Sequence, residues 1–123
     1  MHDEELEDFR YRLKHILETP NQPMPSINPE GWVKQRAYAN QDYYNKINEF
    51  VTARNESINW LNSLSNAKWD NIYHHTSLGD ISAYQMLANW VAHDLLHIRQ
   101  LTSAKYDFIK DLSEQDISYA GEW

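Results

Sequence analysis

The chain has 123 residues, enough for one domain with a buried core and too few for two independent ones. Its 18 acidic and 11 basic side chains give a formal charge of −7, which repels nucleic-acid phosphates and anionic lipid, so neither is expected as a partner. Cysteine is absent, which excludes disulfides, thiolate nucleophiles and thiolate metal ligands, and leaves His, Asp and Glu as the side chains able to hold a metal.

The N-terminus, MHDEELED, is acidic where a secretion signal is basic and then apolar, and no apolar run of about 18 residues follows that could span a bilayer. A cytoplasmic protein is expected. Asp3, Glu4 and Glu5 place negative charge where a helix N-terminus favours it, and Leu6, Phe9, Leu13, Ile16 and Leu17 recur at helical spacing. A first helix is predicted from Asp3 to Glu18, ended by Thr19-Pro20. The stretch from Pro20 to Asn40 holds three of the four prolines within six residues, and Pro29 after them. It reads as an ordered crossover loop without regular structure, pinned by Trp32 and Tyr38.

Asn40 or Asp42 can cap a second long helix, whose stripe of Tyr43, Ile47, Phe50 with Val51, Arg54, Ile58, Leu61 and Leu64 ends near Ser65. Arg54 sits inside that stripe. Either its stem packs while the head reaches solvent, or it forms an ion pair or substrate-anion clamp. Trp69 to Asp80 reads as a linker, and Asp80 or Ser82 caps a third long helix over Ile81–Lys105. Tyr106, Phe108, Ile109 and Leu112 extend that helix or begin a short one, before a polar tail. No alternating run marks a strand, and the fold class is all-α.

The third helix carries the chemistry. In His93-Asp94-Leu95-Leu96-His97 the two histidines are four residues apart, so their rings lie one above the other on one helix face. That face continues through Met86, Asn89 with Trp90, and Gln100 with Leu101. Neutral imidazoles so placed are candidate ligands for zinc, nickel, copper or iron(II); the competing reading is a pair that only hydrogen-bonds at a helix interface. HDLLH differs from the metalloprotease pattern H-E-x-x-H in having Asp94 for the glutamate. Asp94 is expected instead to hold a ring N–H or to cap a neighbouring segment. His74 and His75 read as loop histidines satisfying backbone carbonyls, and His15 as solvent-exposed. His2 shares a face with Leu6, Phe9 and Leu13. No nucleophile motif and no glycine-rich phosphate loop is present, and the tryptophans and tyrosines read as packing anchors.

Taken in order, Asp3-Glu4-Glu5-Leu6-Glu7-Asp8-Phe9-Arg10-Tyr11-Arg12-Leu13, the RNESINWLNSL run from Arg54 to Leu64, His75-x-x-x-Gly79, and Ala92-His93-Asp94-Leu95-Leu96-His97-Ile98-Arg99-Gln100 resemble the DinB-like superfamily. The resemblance covers nearly the whole chain, and H-D-x-x-H-x-x-Q is its most specific part. It implies one helical-bundle domain over residues 1–123: an up-down four-helix bundle with a long crossover loop. It also implies a divalent metal, zinc or nickel, on three histidines, two of which match His93 and His97. In such proteins the metal activates a low-molecular-weight thiol cofactor, so the implied activity is a metal-dependent thiol transferase or a hydrolase acting on a small molecule. The third family histidine would fall one residue before Met1, which makes His2 a substitute third ligand. Only three long helices are visible, as if the chain were truncated at its N-terminus relative to the family. A bundle lacking one helix leaves an apolar groove, for which a homodimer is the expected cover. The alternative is a non-catalytic, metal-free or degenerate helical binding or scaffold protein that acts as a dimer.

Overall fold

The computed structural model describes residues 3–122, and 68 % of it is helical, with four helices and one two-stranded sheet. The all-α reading holds in this coarse form, and the sheet is an addition to it. Two compact units divide the chain, Met1–Leu87 and Ala88–Trp123.

In the first unit the opening helix begins as a π-helix, Glu4–Arg10, and runs directly into α1, Tyr11–Glu18. The helix predicted from Asp3 to Glu18 is therefore present with a widened first part. Leu13 and Ile16 are fully buried. Because a π-helix turns each residue through less than the 100° of an α-helix, the buried line traced back from Leu13 reaches Glu5. Glu5 is accordingly only 2 % exposed.

The segment expected to be a featureless crossover contains α2, Pro29–Gln35, and a 3₁₀ turn, Tyr38–Asn40. Pro29 is the reason the expectation failed. At the first helical position proline loses no hydrogen bond and presets the helical φ. Asn28 completes the start, its Oδ1 accepting from Gly31 N at 2.9 Å. The connection is pinned, as anticipated, through Tyr38, whose hydroxyl donates to Asp3 Oδ2 at 2.5 Å. Further along, Arg12 reaches Met24 Sδ at 3.0 Å and Pro25 O at 3.3 Å. Trp32 instead lies beneath the Arg36 guanidinium, 4.4 Å from its ring centroid.

Helix α3, Tyr43–Ser63, starts at Asp42, whose carboxylate accepts from Asn45 N at 2.7 Å. Its inward line is turned from the predicted one. Ala53 and Ser57 are buried, with Phe50 and Arg54 half-buried, whereas Tyr43, Ile47, Val51 and Ile58 are exposed. Small side chains allow close helix approach, and Ala53 and Ser57 flank the point where Arg54 meets Glu5.

The expected linker before the last helix is a hairpin. β1, Ile72–His75, pairs antiparallel with β2, Gly79–Ser82, with Tyr73 opposite Ile81 and His74 opposite Asp80. Gly79 takes φ +78 at the turn, the left-handed conformation that closes a three-residue hairpin loop. Just before β1, Asn71 donates from Nδ2 to the carbonyls of Ile16 (3.2 Å) and Leu17 (3.1 Å), satisfying acceptors left open at the end of α1. The Tyr73 hydroxyl accepts from Met24 N at 3.1 Å. The hairpin thus ties α1, the crossover and the start of the next helix into one unit.

That helix is α4, Ala83–Ser113. Its first turn lies in the first unit: Ala83 is fully buried, and Tyr84 N donates to Trp69 O at 3.0 Å. The remainder forms the second unit, followed by a 3₁₀ turn, Ser118–Ala120. Of the two alternatives after Lys105, α4 takes the continuous one. Among the described residues no helix is long and apolar enough to cross a membrane.

Candidate metal centre

Ser82 fixes where α4 begins. Its Oγ accepts from Gln85 N at 3.0 Å, one of the two caps anticipated. Regular helix from there sets the phase of His93 and His97, both half-buried, while Trp90 one turn earlier is buried. The two imidazoles meet edge to face, with ring centroids 4.4 Å apart and planes at 90°. Their Nε2 atoms are 2.9 Å apart. His97 Nδ1 lies 2.9 Å from Gln100 Oε1.

The Gln100 oxygen facing Nδ1 suits the His97 tautomer whose Nε2 carries the lone pair, and the two Nε2 atoms approach one another closely.

The two Nε2 atoms are close enough to serve one divalent ion together. Tetrahedral zinc with Zn–N bonds of about 2.0–2.1 Å separates neighbouring nitrogens by roughly 3.3 Å, so the pair has to open by only a few tenths of an ångström. Gln100 would keep its bond to Nδ1 and hold the ring in the ligating tautomer, the role that outer partners of ligand histidines commonly play. Gln100 sits three residues after His97, a spacing readable in the sequence as a helical neighbour. The donor set on α4 supplies two of the three or four ligands such an ion needs. His2, the third ligand suggested by the sequence, lies outside the described residues.

The other described histidines have structural partners. His75 Nδ1 accepts from the backbone N–H groups of Ser77 and Leu78, both at 3.1 Å, and so braces the hairpin turn. Its ring accepts from N–H groups where the sequence reading had it bonding carbonyls. His74 pairs across the hairpin with Asp80, Nδ1 to Oδ1 2.5 Å, at a solvent-exposed position. His15 is half-buried rather than exposed: Nε2 reaches Gln22 O at 2.8 Å, and its ring meets Tyr73 edge-on at 5.7 Å. The crossover folds back over that side of α1, which the helical stripe could not reveal.

Arg54 adopts the ion-pair alternative. Its Nε and Nη2 contact Glu5 Oε1 and Oε2 at 2.9 and 2.7 Å, a two-pronged pair. A second charged cluster joins Arg36 to Asp3 (2.6 Å) and Glu7 (2.9 Å). Arg36 donates to the Glu7 and Asp3 carboxylates, and these bonds raise its pKa further above its usual range. Partial burial, then the bond to Asp3, push the Tyr38 hydroxyl up to about 12. Nearby, Asp3, Tyr38, Gln41, Tyr43, Ile47 and Phe50 help to line a cavity of about 440 Å³.

No protein-family model matches the chain, and no curated protein matches it.

Proposed function

We infer that the protein is a DinB-like helical protein that binds a divalent metal, zinc or nickel, with His93 and His97 as ligands. The observation that carries this reading is the 2.9 Å approach of the two Nε2 atoms, with Gln100 holding the far nitrogen of His97. The H-D-x-x-H-x-x-Q segment of the family resemblance supplies the same three side chains. Such an ion lowers the pKa of a coordinated thiol or water, so the activity to look for is thiol transfer to, or hydrolysis of, a small molecule. Titration of chelator-stripped, untagged protein with Zn²⁺ or Co²⁺ tests the binding. One equivalent per chain, with a tetrahedral cobalt spectrum, is expected, and His93→Ala or His97→Ala should abolish both. Equal metal uptake by native and variant proteins would refute the assignment.

A second reading is favoured by the many exposed apolar side chains of α4. In it the protein is a metal-free binding or scaffold protein, and the histidine pair only stabilises the helix.

A further inference from the structure

α4 carries an exposed apolar stripe centred away from the histidines, with one edge, at Leu101 and Phe108, approaching His97. Val91, Leu95, Ile98, Leu101, Phe108, Ile109 and Leu112 are each more than half exposed. From Gln100 to Ser113 every residue is exposed except the half-buried Tyr106. At 100° per residue, Leu95, Ile98, Ile109 and Leu112 fall within an arc of roughly 100°, with Leu101 and Phe108 along one edge. His97 and His93 lie roughly 110° and 150° from the middle of that arc, so the centre of the stripe does not depend on the metal reading.

Two properties of the stripe identify its occupant. The first is area. Seven such side chains expose roughly 100 Å² each, on the order of 700 Å² together, more than a monomer usually leaves in one patch and close to one side of a standard protein interface. The second is symmetry. Leu95, Ile98, Thr102, Lys105, Ile109 and Leu112 are separated by three, four, three, four and three residues. The order reads Leu, Ile, polar, polar, Ile, Leu in both directions. A helix with this pattern complements itself when reversed, as a two-fold contact requires.

We propose that α4 pairs antiparallel with α4 of a second copy of this chain, about a two-fold axis between Ser103 and Ala104. Leu95 then meets Leu112 of the other copy, Ile98 meets Ile109, and Leu101 packs beside Phe108. Thr102 faces Lys105 across the centre. The Thr102 hydroxyl already donates to Ile98 O at 2.8 Å, which leaves its oxygen to accept from the lysine ammonium.

The absence of cysteine makes the test clean. Light scattering of the native protein should give twice the 14.6 kDa chain mass, falling to one chain in I98D with its helical circular dichroism retained. Under mild oxidation, an I98C/I109C double variant should form a disulfide-linked dimer, as should a mixture of the two single variants, while I98C alone should cross-link poorly. The cross-linking arm stands even if I98D fails to fold. A native mass of one chain, or cross-linking of I98C alone as readily as the double variant, would overturn the proposal.

Discussion

Arg54 and Glu5 show how much one side chain can decide. Glu5 is buried and its charge is met by a two-pronged guanidinium, so removing the arginine strands a carboxylate out of water. Arg54→Leu should lower stability by about 2–4 kcal/mol in urea unfolding. Glu5→Leu/Arg54→Leu together should recover most of that loss; a double variant as unstable as the single one would mean that packing, not the stranded charge, sets the cost. The inward place of Arg54 was legible in the helical stripe, but that of Glu5 was not, because a π-helical phase is invisible to a count based on 100° per residue. Gln100 makes a finer prediction: Gln100→Leu should weaken metal binding by about 10–100-fold without unfolding α4. Tyr38 makes a third. Its hydroxyl pKa is raised on folding, so the associated stability is present below the ordinary tyrosine range, near pH 10, and is lost as pH climbs toward 12. In a near-ultraviolet titration one of the eight tyrosines should ionise late, and Tyr38→Phe should remove that step.

At the level of elements, starts and stops were more legible than the turns between them. Asp42 and Ser82 were each one of two caps the sequence offered, because a short oxygen-bearing side chain before an amphipathic run can accept from the first turn. Ser82→Ala should therefore cost about 1 kcal/mol, seen as a lower thermal midpoint. The hairpin escaped notice because its strands are four residues each and read Ile-Tyr-His-His and Gly-Asp-Ile-Ser, with no alternation long enough to count. Its stability comes from outside the strands, through Asn71 and Tyr73. Gly79 is the hinge of that turn: a Cβ there would meet nothing within 4 Å, so the cost of Gly79→Ala comes from its φ of +78 alone. About 1–2 kcal/mol is expected, and Gly79→Asn, which tolerates that conformation better, should lose less. α2 was missed for the opposite reason, since proline was weighed as a breaker where it serves as a first helical residue.

For the whole molecule, composition and periodicity sufficed for a mostly helical chain without cysteine. They also located the histidine pair on α4. What they could not supply was the geometry joining the rings, since spacing of four residues is equally consistent with two histidines that never touch. The rings do meet, Nε2 to Nε2 at 2.9 Å. The decisive measurement is the metal content of native protein expressed without a histidine tag and purified in the absence of chelators, compared with the His93→Ala/His97→Ala double variant. One divalent ion per chain in the native protein, absent from a folded double variant, is the predicted result. A metal-free native protein that also takes up no added Zn²⁺ or Ni²⁺ would contradict it.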